Sequence, residues 1–244
     1  MHAILGDGPL AHALARRLTR IGPTVLGSST ITDGPWLWRH ADMATGQGVK
    51  AAIEGARLVV VALDDDTPTD GGFVVLKRID RLRGAVALAL DVPAPRALTG
   101  LADLSVVRVG PVWGPDEPWI AAWSRAALDG RRLLVPDVGP IRPVPADDAV
   151  DAILAAASHK GARWTVTGAE EARLTDLATT LGATLGKPAR VAKVPLGLAA
   201  WWTGADPKRA TRWAAMPPTP RATEGWTATR AAGRTGWARS SDAV

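Results

Sequence analysis

His2-Ala3-Ile4-Leu5-Gly6-Asp7-Gly8-Pro9-Leu10-Ala11 opens the chain and decides how the rest is read. Residues 2–5 are largely apolar and of strand length, and Gly6 ends them. Pro9 stands where a first helical turn loses nothing from its missing N–H. Ala11, Leu14, Ala15 and Leu18 follow at helical spacing. The stretch therefore predicts a strand, a tight turn and a helix. The parts of Gly6-x-Gly8-x-x-Ala11 have separate tasks. Gly6 permits the turn, Gly8 leaves the backbone open to a diphosphate, and Ala11 lets helix and strand pack closely. Pro9 and Leu10 begin a helix whose unpaired N–H groups and positive dipole end attract anions. The plainer alternative is a tight strand-to-helix turn with no ligand.

Outward from this stretch, Gly22 and Pro23 stop the helix, and strands are expected at 24–26 and 36–39. Val49–Ile53 reads as a helix closed by Gly55. Leu58–Leu63 is LVVVAL, a continuous apolar run typical of a parallel strand buried on both faces. A helix over 73–82 and strands at 85–90 and 105–109 continue the alternation. Strands alternating with helices indicate βαβ units, hence a Rossmann-like α/β fold with a doubly wound parallel sheet. Ligands of such sheets lie at the carboxyl ends of the strands. Helices over 118–128, 147–157 and 174–185 and short strands at 132–135 and 164–166 read as a smaller lobe. The expected organisation is a dinucleotide-binding region over 1–112, its sheet open to completion by later strands. A small C-terminal α/β substrate lobe covers 113–216, and a basic irregular tail 217–244.

Composition narrows the function classes. The 244 residues are 47% hydrophobic and 22% charged, which excludes disorder for most of the chain. No apolar run reaches bilayer length, and the opening residues lack a signal-peptide pattern, so a soluble cytoplasmic protein with no membrane partner is expected. Cysteine is absent, which excludes disulfides, thiolate metal sites and Cys nucleophiles. The four His lack paired spacing, and Asp64-Asp65-Asp66 lacks the alternation of a calcium loop, so no metal site is expected. Residues 1–186 carry 19 basic and 21 acidic side chains, whereas 187–244 carry 10 and 3. A nearly neutral body argues against a nucleic-acid groove.

A dinucleotide site of the NAD type places an acid at the end of the second strand, to hold a ribose hydroxyl. Here that stretch is Leu26-Gly27-Ser28-Ser29-Thr30, without an acid. Ser28 and Ser29 could donate to a 2′-phosphate, with Arg39 within reach, while Asp33 comes a little later. NADP is thus expected over NAD.

The residues resemble those of the atypical and extended short-chain dehydrogenases/reductases, the NAD(P)-dependent epimerase/dehydratase family. ILGDGPLAHALARRL is similar to that family's first βα unit, and Ala41-Asp42-Met43 to the step after its third strand, where the Asp approaches the adenine. GARLVVVAL resembles its fourth strand. Residues 107–115, VRVGPVWGP, resemble R-P-x-x-V-Y-G-P with Trp for Tyr. Residues 141–149, IRPVPADDA, resemble the segment ending in a D-D-hydrophobic step. Trp164-Thr165-Val166-Thr167-Gly168 and a terminal Gly236-Trp237 complete the order. The resemblance implies Asp42, Met43, Ala62, Leu63 and Pro111 as further cofactor contacts. It also implies an oxidoreductase or epimerase-like enzyme.

The departures bear on chemistry. The family's proton relay is Tyr-x-x-x-Lys, and this chain has no tyrosine. About fourteen residues separate Leu90 from Ser105, barely room for the helix that carries the relay. Asp64 and Asp91 follow the fourth and fifth strands and are the candidate acids, with a solvated turn as the other reading of each. Trp113, Trp119 and Trp123 are candidate substrate contacts or ordinary core, the last two sharing a helix face. Arg142 is a candidate anion holder or a surface ion pair. For Trp201-Trp202 the options are core, a lid or an oligomer interface, and a homodimer is one possible state. Two functions stay open: an enzyme acting on a small molecule without the Tyr–Lys pair, and a non-catalytic NAD(P)-binding sensor or scaffold.

Overall fold

A computed structural model describes residues 1–64, 69–79, 83–89, 95–98, 101, 103–168 and 171–203. Asp65, Asp66, Asp91, Gly236 and Trp237, with the tail expected over 217–244, lie outside them. β1 (His2–Leu5) leads into α1 (Pro9–Thr19). Then come β2 (Thr24–Ser28), β3 (Leu37–His40), α2 (Val49–Ile53), β4 (Leu58–Leu63), α3 (Asp70–Lys77), β5 (Gly84–Ala89), a 3-10 turn at Arg96–Leu98 and β6 (Ser105–Val109). They are followed by β7 (Val112–Trp113), α4 (Pro118–Leu128), β8 (Arg132–Pro136), β9 (Val144–Pro145), α5 (Ala146–Ala157) and β10 (Arg163–Val166). α6 (Leu174–Thr184), β11 (Arg190–Val194) and α7 (Leu196–Thr203) end the described chain.

The described residues form two units. The first holds 1–109 and 147–166, the second 110–146 and the residues from Thr167 onward. In the first, seven strands pair in parallel in the order β10-β6-β5-β4-β1-β2-β3. This is a Rossmann-like α/β fold. Its central strands β1, β4 and β5 are almost wholly apolar because helices cover both faces there, whereas the edge strands β3 and β10 carry exposed and half-buried polar residues. Leu5, Val25, Val59, Val61, Val86, Leu88 and Phe73 pack in one buried cluster. The strand order reverses between β1 and β4, and Leu5 stands beside Val61 on one side and Gly27 on the other. Their carboxyl ends therefore border the crevice where such sheets take ligands.

Three local departures have physical causes. α3 begins at Asp70, ahead of the expected 73, and ends at Lys77 with Arg78 as its C-cap, short of the expected 82. Gly71 and Gly72 read as helix breakers. They are needed because residues 43–46 pass so close that a Cβ on either glycine would collide with Met43 or with the Ala44 and Thr45 backbone. Their N–H groups donate to the Ala44 and Met43 carbonyls, at 3.2 and 2.8 Å, which satisfies orphan donors of the first turn. The crossover from β2 to β3, residues 29–36, contains no helix, although parallel neighbours usually need a dozen or more residues. Two tryptophans anchor it. The Trp36 ring stacks on His12 of α1 with centroids 5.7 Å apart. Trp38 Nε1 donates to the Ser28 hydroxyl and the Thr30 carbonyl, 2.9 Å each. Between β5 and β6, the described residues contain one 3-10 turn and no α-helix.

In the second unit, β8 pairs with β11 and β7 with β9, all in parallel. α4 and α6 present apolar faces to a cluster containing Trp113, Trp119, Trp123, Leu133, Leu177 and Leu181. β7, β9, β11 and α7 were not expected from the sequence. No helix among the described residues is long and apolar enough to cross a membrane.

Candidate functional site

The crevice end of the first unit is built from backbone outward. Gly6 has φ +150°, and a Cβ there would strike the Ala62 carbonyl oxygen and stand 3.3 Å from the Ala11 Cβ. Only glycine allows this approach of turn and β4. Ala11 is fully buried between helix and strand. Gly8 has an extended backbone (φ −97°), and its N-cap position carries no side-chain cap of its own. α1 thus begins at Pro9 with its amino end facing the crevice, as the glycine pattern requires. Ala62 and Leu63 are buried at the end of β4, and Ala62 forms the floor under Gly6.

Two carboxylates meet this loop. Asp64, directly after β4, accepts a hydrogen bond from the Leu10 N–H through Oδ2, at 3.2 Å. Its Cγ lies 2.6 Å from where a Cβ on Gly8 would be. Asp64 therefore covers Gly8 and the first turn of α1, the place that a diphosphate takes in such loops. Asp7 points the other way, to the end of β2. Its Oδ1 accepts from the N–H groups of Ser29 (2.8 Å) and Thr30 (3.3 Å) and from the Thr30 hydroxyl (3.3 Å). Its Oδ2 accepts from the Ser29 hydroxyl at 3.0 Å. Sequence reading passed over Asp7 as a variable position of the motif. The adjacency of β1 and β2 was the signal that could have found it.

These bonds change the picture of the β2 end. The hydroxyls of Ser28 and Ser29 were expected to serve a 2′-phosphate. Ser29 is held by Asp7, while Ser28 donates to the Thr30 carbonyl and accepts from Trp38. Arg39, expected within reach, instead donates to the Ala51 carbonyl on α2. Asp42 Oδ2 accepts from the Thr45 hydroxyl and Oδ1 from the Ala44 N–H, both at 2.8 Å, so it caps its own turn. Met43 packs into the core beside Gly72.

The Thr45 hydroxyl, then the Ala44 N–H, hold the Asp42 carboxyl below its usual pKa. A carboxyl depressed in the folded state contributes stability above its unfolded pKa and loses it as pH falls through the folded one. Asp42→Asn should therefore flatten the acid side of the stability profile. Melting temperatures of both proteins between pH 7 and pH 3 check this, and parallel curves would contradict it.

The other candidates belong to the second unit. Pro111 is buried, and its carbonyl accepts from the Val144 N–H at 2.7 Å. Trp113, Trp119 and Trp123 fill the interior of that unit. Arg142 pairs with Glu171 at 3.2 Å. An open cleft of about 350 Å³ is lined by Pro136, Val138, Gly139, Arg173, Thr175 and Lys193, and Lys193 pairs there with Asp137 at 3.3 Å. Trp201 is exposed and Trp202 packs on the core.

No protein-family model matches the chain, and no curated protein matches its sequence. Solved structures share its fold. A dTDP-glucose 4,6-dehydratase of Bacillus anthracis in complex with NAD superposes with TM-score 0.63 at 13% identity, covering 80% of this chain and 84% of the other. A UDP-glucuronic acid 4-epimerase of Bacillus cereus in complex with NAD gives 0.58 at 13%, over 88% and 95%. PA4631, a nucleoside-diphosphate-sugar epimerase of Pseudomonas aeruginosa, gives 0.55 at 18%, over 90% and 92%. The chain thus has the epimerase/dehydratase fold.

Proposed function

We propose that this chain binds a nicotinamide dinucleotide at the β1–α1 loop and acts as an oxidoreductase or epimerase-like enzyme on a small molecule, without a Tyr-x-x-x-Lys relay. The observation that carries the reading is Gly6. Its positive φ and the contact with the Ala62 carbonyl build the bend that turns the amino end of α1 to the crevice. Gly6, Gly8, Pro9, Leu10 and Ala11 would hold the diphosphate, Gly6 by forming the bend against Ala62 and Gly8 by leaving its backbone without a side chain. Asp64 brings a charge of the same sign as the diphosphate to the first turn of α1. Its carboxylate, bonded to the Leu10 N–H, would have to rotate aside when the ligand enters. The fold shared with NAD-bound dehydratases and epimerases supports the same reading. When bound, the coenzyme supplies hydride transfer, and the protein supplies position and a proton source.

A second reading, a non-catalytic binder that reports coenzyme redox state, is favoured by the complete absence of tyrosine. Titration of NADH and NADPH by quenching of tryptophan emission tests the binding shared by both readings. Turnover across an aldehyde, ketone, imine and nucleotide-sugar panel separates them, and activity surviving both Asp64→Asn and Asp91→Asn excludes those acids as proton donors. Gly8→Val suits the extended Gly8 backbone but needs the Asp64 side chain to move; with its fold checked by circular dichroism, it is expected to bind dinucleotide at least tenfold more weakly. Unchanged affinity in that variant would place the ligand elsewhere.

A further inference from the structure

We infer that Asp7 is the group that chooses the coenzyme, admitting NAD(H) and rejecting NADP(H). The inference rests on dinucleotide binding at the β1–α1 loop and reverses the expectation from sequence. The two coenzymes differ at one point, the adenosine ribose, which carries a 2′-hydroxyl or a 2′-phosphate. A carboxylate accepts a hydrogen bond from the hydroxyl and repels the phosphate, which needs cations and N–H or O–H donors.

The end of β2 offers the first set and not the second. The donors there are the N–H groups and hydroxyls of Ser29 and Thr30, and all four bond to Asp7. Ser28, the remaining hydroxyl, is shared between the Thr30 carbonyl and Trp38 Nε1. Among the described residues no cationic side chain bonds to this loop, and Arg39 is turned to α2. The helix-free crossover at 29–36 contributes Asp33 and no arginine or lysine.

The carboxylate is also fit to receive. Asp7 is exposed, so a ligand at the crevice reaches it without rearrangement. Oδ1 takes three donors and Oδ2 one, which leaves Oδ2 a lone-pair direction for a ribose hydroxyl. The four bonds fix its orientation in advance, which lowers the entropic cost of using it. Asp7 stands in the glycine loop itself, yet its oxygens lie at the β2 end. The acid absent from the strand is supplied by its neighbour.

The test titrates the full chain with NADH and NADPH separately, by tryptophan quenching and by calorimetry. The wild type is expected to bind NADH at least tenfold more tightly. Asp7→Ser removes the charge and frees the Ser29 and Thr30 donors. It should narrow the ratio by tenfold or more, mainly through a gain for NADPH. Competition on the wild type by ADP-ribose and its 2′-phosphorylated form gives the same comparison without a variant, and ADP-ribose should displace NADH at the lower concentration. Equal or tighter NADPH binding by the wild type overturns the inference, and so does an unchanged ratio in a folded Asp7→Ser. If neither coenzyme associates at millimolar concentration, the binding reading itself fails, an outcome distinct from both.

Discussion

Asp64→Asn is expected to tighten NADH binding about tenfold and to leave the fold intact. The carboxylate of Asp64 rests on the Leu10 N–H, at the amino end of α1. A diphosphate seeks the same N–H groups and the same dipole. Two charges of one sign about 4 Å apart repel by about 4 kcal/mol at an effective dielectric of 20. Asp64 is half-buried, so solvent and salt remove much of that. A net gain of about 1.4 kcal/mol, one decade in affinity, is what survives. Asparagine keeps an oxygen for the Leu10 N–H, so the helix end stays capped. Asp64→Ala should bind as well or better but lose about 1 kcal/mol of stability with the cap. The gain should shrink as ionic strength rises. If Asn binds NADH no better than the wild type at low salt, Asp64 and the diphosphate do not share a site.

The contrast between Asp64 and Gly6 shows what a sequence can disclose. The bend was legible because its requirements are local: an apolar strand, a glycine where the backbone meets Ala62, and a proline that begins a helix. LVVVAL was legible because a strand buried on both faces has no polar positions. Asp64 and Asp7 act across 54 and 22 residues, and only the order of strands brings them to the loop. α3 begins three residues ahead of the expected 73, at a Gly71-Gly72 pair that weakens a helix in isolation and whose value lies in what it lets approach. β7 and β9, two residues each, are too short to carry any period. Asp91 was proposed as an acid from its place after a strand, and it falls outside the described residues.

Trp119 and Trp123 are a pair that the sequence leaves between substrate contact and core, and on which geometry is specific. Both are fully buried on α4, with ring centroids 6.1 Å apart. Truncating either to alanine should cost about 3–5 kcal/mol through lost contacts and the cavity left behind. The phenylalanine variants separate them. Trp123 Nε1 donates to the Leu134 carbonyl at 3.0 Å, joining α4 to β8. Trp119 Nε1 is buried without a hydrogen-bond partner. Both substitutions remove the same ring atoms, so the cavity costs are similar. Trp123→Phe also strands the Leu134 carbonyl, a loss of about 1 kcal/mol or more, whereas Trp119→Phe removes a donor that was already unsatisfied. Trp119→Phe should therefore be the more stable of the two by about 1–2 kcal/mol, read from urea denaturation midpoints at unchanged slope. Equal losses, or a larger loss at Trp119, would mean that the indole N–H of Trp119 has a partner in solution. Water or a bound ligand would be that partner, and its effect on ligand affinity would then be the measurement to make.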